Sequence, residues 1–334
     1  MQTFWGQMIM AGLPGPDMDD TARYIIQDLR VGGIILFKRN IVQAEQVAAL
    51  IQTCQELSLK ASGYPLLVAV DQEGGPVQRF RHPFPEMPSA RQFGEAGDLA
   101  AVATAARQVA EELRRLGVTM NLAPVLDVPR SPACPLWERG YSSDPERVAD
   151  FGLAAIKGYL AGGILPVVKH FPGLGATALD SHVDLPTAVT APAEQEKDLA
   201  PFRKAIAAGV PGVMSAHVLI PEWDNLPASL SPVATTGVLR EQLGFTGLAC
   251  TDDLEMGAIT KKWPVAEAAR LAVAAGQDVI LICEQVQHMI QALAGLAASP
   301  DLEARFQAAW TRILAAKQRL WKNPSAFCRT GRKN

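Results

Sequence analysis

Residues 164–182, ILPVVKHFPGLGATALDSH, are the stretch that decides the fold. They begin as an unbroken apolar run and then turn polar abruptly, with Lys169 and His170 at the boundary. A continuous apolar run, as opposed to an alternating one, is typical of a parallel strand that is buried on both faces. Lys169 and His170 should therefore face opposite sides of this strand or straddle its last turn.

The same pattern recurs along the chain, where eight apolar runs alternate with longer amphipathic or alanine-rich segments. The predicted strands are Gln7–Gly12, Gly33–Phe37, Leu66–Val70, Thr119–Val128, Ile164–His170, Gly212–Val218, Gly247–Thr251 and Asp278–Cys283. The predicted helices are Thr21–Leu29, Ala44–Leu57, Leu99–Leu116, Pro145–Ala161, Glu194–Ala208, Thr236–Leu243, Val265–Ala275, Val286–Ala297 and a closing helix over Leu302–Leu320. Such strand–helix units fit either a closed (β/α) barrel or an open doubly wound sheet.

Two observations favour the barrel. An open sheet that binds a dinucleotide would carry GxGxxG after its first strand, whereas residues 11–17 read AGLPGPD. Polar residues follow many different strands, and in a barrel all of these positions converge on one rim. We therefore predict an α/β fold of the (β/α)8 TIM-barrel type. We expect a single domain over residues 1–334, with an ordered core over about 5–322 because the basic tail should fray.

Composition excludes several other classes of protein. Hydrophobic residues make up 49% of the chain and charged residues 19%, which rules out general disorder. The net charge of −3 argues against a nucleic-acid partner or a basic membrane-binding patch. Five cysteines without a CxxC spacing disfavour a disulfide framework and fit a reducing compartment. The N-terminus lacks the features of a signal peptide and no apolar run suits a membrane span, so we expect a cytoplasmic protein.

Several strand ends carry residues that could bind a polar ligand. Asp71 is followed by a glycine turn and by Arg79. Asp71 and Arg79 could both bind a ligand. Alternatively, Asp71 could cap the next segment and pair with Arg79. Arg139 lies in a loop before the helix that Pro145 begins, and it could equally be a surface charge. Lys169 could form a Schiff base or donate hydrogen bonds to sugar or phosphate oxygens.

Asp180 and His182, two residues apart in the loop after Lys169 and His170, suit proton transfer. The carboxylate can hold one imidazole nitrogen and leave the other to exchange protons near neutral pH. The alternative is a loop pair that satisfies local backbone groups. His217 follows another apolar run and is interpreted as a core histidine or one that supports the site from behind.

Asp252 and Asp253 end the seventh predicted strand. Because side chains alternate along a strand, one carboxylate should point at the rim and the other away from it. A rim aspartate could attack the anomeric carbon of a sugar, or the pair could be a helix cap and a structural carboxylate. Together with His182 and His217 they could also hold a divalent ion. No zinc spacing is present, and we expect no metal.

Taken together, the motifs closely resemble the bacterial β-N-acetylglucosaminidases of glycoside hydrolase family 3 along nearly the whole chain. They occur in the order DQEGGPVQRF, LAPVLDV, ERGYSSDP, KHFPGLGATALDSH, SAH and TDDLEM. The resemblance implies the single-domain form and a retaining, two-step mechanism with no organic cofactor. Asp252 matches the family nucleophile, His182 the general acid–base and Asp180 its partner. The residues that match those holding the sugar hydroxyls are Asp71, Arg79, Arg139, Lys169 and His170.

The activity implied by the resemblance is removal of terminal, non-reducing N-acetylglucosamine from peptidoglycan fragments, a small carbohydrate or muropeptide substrate, by a monomer. Two departures are present: Leu174 stands where the family commonly has histidine, and Pro76 where it commonly has arginine. Gly173 and Gly175 predict that the loop moves. One alternative is phosphorolysis, because a neutral imidazole would repel an incoming phosphate ion less than a carboxylate would. Another is a related β-glycosidase. A sugar-binding barrel without activity and a Schiff-base aldolase using Lys169 are further alternatives.

Overall fold

The computed structural model describes residues 4–82, 84–177, 179, 181, 183–189 and 191–321. The strands of this part of the chain are β1 (Ile9–Gly12), β2 (Gly33–Leu36), β3 (Leu67–Val70), β4 (Gln72–Gly74), β5 (Val77–Gln78), β6 (Met120–Asn121), β7 (Leu165–Phe171), β8 (Gly212–Ser215), β9 (Leu248–Asp253) and β10 (Val279–Ile282). All except β4 and β5 pair in parallel and close a barrel, in which β10 returns to pair with β1. The predicted (β/α)8 barrel is thereby confirmed.

Helices surround the barrel and connect successive strands. They are α1 (Asp20–Gln27), α2 (Ala44–Ser62), α3 (Ala90–Ala96), α4 (Leu99–Arg115), α5 (Pro145–Ala161), α6 (Pro192–Ala207), α7 (Gly257–Thr260), α8 (Val265–Ala275), α9 (Val286–Ala297) and α10 (Glu303–Trp321). A helix of π type covers Val233–Gln242 after β8. Among the described residues, no helix combines the length and apolar character that crossing a bilayer requires.

Strand length departs from prediction where proline interrupts the backbone ladder. The run predicted as Thr119–Val128 pairs as a strand only over Met120–Asn121. Pro124 has no N–H to donate, and parallel pairing resumes only at a single bridge between Val125 and Lys169. The chain that follows β6 is therefore free to turn across the carboxyl end of the barrel, where it supplies Asp127.

The rim at the carboxyl ends of the strands is tied together by the segment after β2. Arg39 donates to the carbonyl oxygens of Leu13 at 2.9 Å and Cys283 at 2.5 Å, and Asn40 donates to Leu13 at 3.0 Å. Leu13 follows β1 and Cys283 follows β10, so these side chains hold the ends of neighbouring strands in place. A fixed rim lets side chains from distant parts of the sequence be positioned against one another.

Candidate active site

A cavity of about 430 Å³ opens at the carboxyl end of the barrel. Its size suits a ligand no larger than a small organic molecule or a single sugar ring. Six of the eight residues predicted from the sequence line it, which are Asp71, Arg79, Arg139, Lys169, His170 and Asp252. The other two, Asp180 and His182, lie outside the described residues. Leu179 and Ser181, which belong to the same loop, line the cavity.

One wall of the cavity is a chain of ion pairs. The Lys169 ammonium lies 2.7 Å from Asp71 Oδ1 and 2.6 Å from Glu73 Oε1. Arg139 binds both carboxylate oxygens of Glu73 at 2.8 Å, through Nε and Nη2. Arg79 Nη2 lies 3.2 Å from Asp71 Oδ2, so these two residues pair, as the alternative interpretation of them held. Opposite charges alternate along the wall and neutralise one another at close range.

Burial and charge together keep this wall ionised. Burial alone would lower the pKa of Lys169, but the carboxylates of Asp71 and Glu73 raise it above its usual value. Burial would raise the pKa of Glu73, but the charges and hydrogen bonds of Arg139 and Lys169 hold it well below its usual range. A protonated amine is not a nucleophile, so this environment argues against a Schiff base at Lys169.

Glu73 is the member of this wall that the sequence analysis missed. It lies on β4, in a hairpin with β5 that was not predicted, and its side chain is 6% exposed. The available signal was its spacing of two from Asp71, since residues two apart in extended chain face the same side.

Arg79 lines the cavity, but its Nε atom is enclosed by protein. Among the described residues, no hydrogen-bond partner accepts from this Nε–H group. Buried polar groups in folded proteins are nearly always paired, so this donor is an exception within the wall.

Lys169 and His170 both line the cavity, so they do not face opposite sides of β7. The peptide bond between them is cis. Asp127, to which no role was assigned from the sequence, lies 2.6 Å from His170 Nδ1. His170 Nε2 lies 3.3 Å from Arg139 Nη2. The LAPVLDV motif that contains Asp127 was the signal that could have identified it.

Asp252 is the next-to-last residue of β9 and is half-buried, and it lines the cavity. Burial would raise its pKa, but electrostatic interactions with His217, His170 and Lys169 and the N–H of Asp253 hold the pKa below its usual value. The Asp253 N–H donates to Asp252 Oδ1 at 2.8 Å. The result is a carboxylate that stays ionised within a largely closed site, which is what a nucleophile requires.

Asp253 also lines the cavity, so the expectation that one of these two carboxylates would point away from the rim is wrong. The pairing of β9 with β10 shifts register between Val279 and Leu281, so regular alternation is lost at this end of the strand. Burial raises the pKa of Asp253 to about 7, and the negative charges of Glu255 and Asp252 act in the same direction. A hydrogen bond from the Glu255 N–H opposes this rise.

His217 supports this end of β9 from behind, as one of the two interpretations of it predicted. It is fully buried, and its Nε2–H donates to the backbone oxygen of Asp253 at 2.8 Å. Its Nδ1 lies 2.7 Å from the hydroxyl of Ser229. No cluster of three or more metal-ligating side chains occurs in the described part of the chain.

The glycines of the loop after β7 are explained by close packing. Gly173 has a φ of +130°, and a Cβ on Gly175 would come within 2.0 Å of the Val128 carbonyl oxygen. Leu174 between them is 6% exposed and belongs to an apolar cluster that includes Leu136, and both leucines line the cavity. Movement of this loop stays a prediction.

Comparison with known proteins relates this arrangement to a family of enzymes. The chain matches the family model for the glycosyl hydrolase family 3 N-terminal domain over residues 3–316. It is 37% identical to a beta-hexosaminidase of Thioalkalivibrio sulfidiphilus, over 88% of this chain and 85% of that protein. It is 36% identical to a beta-hexosaminidase of Xanthomonas euvesicatoria, over 95% of this chain and 97% of that one.

Solved structures give the same relationship. A glycoside hydrolase family 3 beta-N-acetylglucosaminidase from Paenibacillus sp. FPU-7 superposes with a TM-score of 0.95 at 39% identity; the match covers all of this chain but spans only 64% of that longer protein. NagZ from Neisseria gonorrhoeae, in complex with N-trifluoroacetyl-D-glucosamine, superposes with a TM-score of 0.78 at 31% identity, over 96% of this chain and 98% of that one.

Proposed function

This chain belongs to glycosyl hydrolase family 3 and is a glycoside hydrolase, and from that premise we propose that it is a retaining exo-β-N-acetylglucosaminidase. It removes terminal, non-reducing N-acetylglucosamine from peptidoglycan fragments through a covalent bond to Asp252. The observation that carries the proposal is that Asp252 lines a cavity of about 430 Å³ together with the wall of paired charges.

The first chemical step forms the glycosyl–enzyme. A carboxylate oxygen of Asp252 attacks the anomeric carbon while the bond from that carbon to the leaving oxygen breaks. Positive charge develops on the sugar in the oxocarbenium-like transition state, and the ionised carboxylate stabilises it. His182 gives its proton to the leaving oxygen, and Asp180 orients the imidazole and stabilises its charged form.

The second step releases the sugar. Neutral His182 takes a proton from a water molecule, whose oxygen attacks the anomeric carbon as the bond to Asp252 breaks. Two displacements at the same carbon return it to the β-configuration. The enzyme regains an ionised Asp252 and a protonated His182, so no metal ion or organic cofactor takes part.

The charged wall binds the sugar hydroxyls. An ammonium has three N–H donors, and two of those on Lys169 face Asp71 and Glu73, so the third can donate to a hydroxyl. Arg79, His170 and Arg139 lie beside Lys169 on the same cavity. Such donors and acceptors, fixed before the sugar arrives, contribute to catalysis through orientation.

The substrate class rests on the size of the cavity and on the relatives. A cavity of about 430 Å³ holds one sugar ring, which favours removal of terminal residues over cleavage within a polymer. The matched relatives include beta-hexosaminidases and a protein bound to an N-acylated glucosamine analogue. We assign as substrate N-acetylglucosamine linked to anhydro-N-acetylmuramic acid, with or without peptide, acted on in the cytoplasm by a monomer.

The test uses 4-nitrophenyl β-N-acetylglucosaminide and the corresponding β-glucoside, each with and without phosphate. We expect turnover of the first only, free β-N-acetylglucosamine as the initial product by NMR, and no sugar 1-phosphate. A 5-fluoro N-acetylglucosaminyl inactivator should label the peptide that contains Asp252. Sugar 1-phosphate in phosphate buffer would assign phosphorolysis instead, and sugar binding without turnover would assign a binding protein.

A further inference from the structure

Asp127 has no role in the proposed mechanism, yet its side chain contacts two parts of the site. Its side chain is fully buried in the chain segment after β6. Oδ2 accepts the His170 backbone N–H at 3.1 Å and lies 2.6 Å from His170 Nδ1, while Oδ1 accepts the Leu174 N–H at 2.6 Å. Hydrogen bonds to a carboxylate in a dry environment are about twice as strong as neutral ones. One charged group therefore joins the end of β7 to the loop that follows it.

The first consequence concerns the proton on His170. A carboxylate only accepts hydrogen bonds, so Nδ1 of His170 carries the hydrogen that faces Asp127. Nε2 faces Arg139 Nη2, which only donates, at 3.3 Å. These contacts place the hydrogen of His170 on Nδ1 and direct the Nε2 lone pair towards Arg139 beside the cavity. Without the carboxylate, only the longer contact with Arg139 would favour this tautomer.

The second consequence concerns the loop. Thr177 bonds back to the Leu174 carbonyl oxygen through its N–H at 3.0 Å and its hydroxyl at 2.9 Å, and the Arg130 N–H donates to the Gly175 oxygen at 3.2 Å. Residues 174–177 are thus fastened to the segment that contains Asp127. In sequence, Asp180 and His182 follow Thr177 by only a few residues, so the position of this base affects where they can reach.

We propose that Asp127 is a positioning residue, which fixes the tautomer of His170 and anchors the base of the loop that carries Asp180 and His182. A single carboxylate then positions both a sugar-binding residue and the loop with the proton-transfer residues, although Asp127 itself touches no substrate. The inference rests on the proposed function of this site. A shift of about 1 Å in a catalytic group can cost 10²-fold in rate, so the anchor is a sensitive point.

The variant that tests the proposal is Asp127→Asn, since its amide has one oxygen and one NH₂ group. If the amide oxygen faces His170, the Leu174 N–H loses its acceptor. If it faces Leu174, the two donors of His170 lose theirs. We expect kcat/KM to fall by about 10²-fold, with KM raised and kcat lowered. The fall should be larger for 4-methylphenyl than for 2,4-dinitrophenyl β-N-acetylglucosaminide, because only the poorer leaving group needs the proton from His182.

The matched control is Asp278→Asn, another fully buried aspartate, which binds Arg240, Arg312 and the Ala249 N–H near the start of β9 and β10. We expect it to lower the melting temperature while kcat/KM stays within about twofold. If Asp127→Asn behaves as this control does, or loses activity equally for both leaving groups with KM unchanged, the positioning role is overturned.

A double-mutant cycle separates the two parts of the role. If Asp127 acts through both His170 and the loop, Asp127→Asn should reduce kcat/KM further in a His170→Ala background. No further loss in that background would overturn the loop anchor.

Nitrogen NMR of the His170 ring keeps the test independent of activity and of the variant's folding. The wild-type protein should show the hydrogen on Nδ1, and a hydrogen on Nε2 there would overturn the proposal. An inactive wild type with the expected tautomer would instead refute the proposed function alone.

Discussion

The two ends of the barrel both bury charged side chains, but they do so differently. At the amino end, Asp278 accepts from Arg240 at 2.8 Å, from Arg312 at 2.9 Å and from the Ala249 N–H at 2.9 Å. Lys317 of α10 is 2% exposed and donates to Gln7 Oε1 at 2.7 Å. At the carboxyl end, the ion pairs of the cavity wall remain open to a ligand on one side.

The difference shows that a buried charge by itself does not identify an active site. Burial lowers the pKa of Lys317 to about 7, as strong a perturbation as the rise in the pKa of Asp253, yet Lys317 lies at the end without the cavity. Structural ion-pair networks perturb titration as catalytic sites do. What separates the two ends is whether the charges border a space that a substrate can enter.

Asp252→Ala is the strongest test of whether the carboxyl end of the barrel is catalytic and the amino end is not. We expect kcat on 4-nitrophenyl β-N-acetylglucosaminide to fall by at least about 10²-fold, because no other group is proposed to bond to the anomeric carbon. Steady-state kinetics measures this, with the adjacent Asp253→Asn as the control that stays within about tenfold. Full activity of the Asp252 variant would reject the nucleophile assignment.

The next largest effect is expected from His182→Ala. Loss of the acid should lower kcat by at least about 10²-fold for a poor leaving group, and much less for kcat/KM on a 2,4-dinitrophenyl glycoside. Added azide should restore turnover and yield a β-glycosyl azide, because an anion needs no general base. Val183→Ala, an exposed neighbour on the same loop, is the control. Equal losses for both leaving groups would argue against an acid role.

Glu73→Gln tests whether the charged wall both stabilises the fold and binds the substrate. Removing this carboxylate leaves Lys169 and Arg139 undercompensated, and breaking a buried ion pair costs about 3 kcal/mol in the free energy of unfolding. We expect that loss in urea titrations together with about a tenfold rise in KM. A loss of stability with KM unchanged would mean that the wall is structural, like the network at Asp278.

The smallest expected effects are two opposite dependences of stability on pH. Asp253 has a folded pKa of about 7 against an ordinary value of 3.8, so the folded state holds a proton that the unfolded chain has lost. Its contribution to stability therefore disappears as pH rises from about 4 to about 7. Lys317 has a folded pKa of about 7 against 10.5, so the unfolded chain holds the extra proton and stability rises from about pH 7 to about pH 10.

The variants Asp253→Asn and Lys317→Met should each remove one of these slopes from the free energy of unfolding, measured in urea at a series of pH values. Lys317→Met should leave kcat/KM unchanged at every pH, since it lies far from the cavity. Should Lys317→Met retain the wild-type slope above pH 7, burial of this amine would not be the cause.

Local patterns in the sequence determined the barrel and most of its helices. The bounds of α5, α8 and α9 agree with prediction to the residue, and Asp144 caps α5 by accepting the Glu146 N–H, with Pro145 at the first position. Helical periodicity, caps and continuous apolar runs depend on residues that are near one another in sequence, so they can be read without the fold.

The sequence by itself therefore determined the class of fold, the rim and, through motifs, which polar residues gather there. Only the tertiary structure decided how they pair. Lys169 meets Asp71 across 98 residues of chain, and Asp127 meets Leu174 across 47. Closure of the barrel brings these groups within hydrogen-bonding distance, and the shifted register of β9 turns Asp253 inward against simple alternation. Such contacts depend on the relative placement of whole strands, which no local pattern encodes.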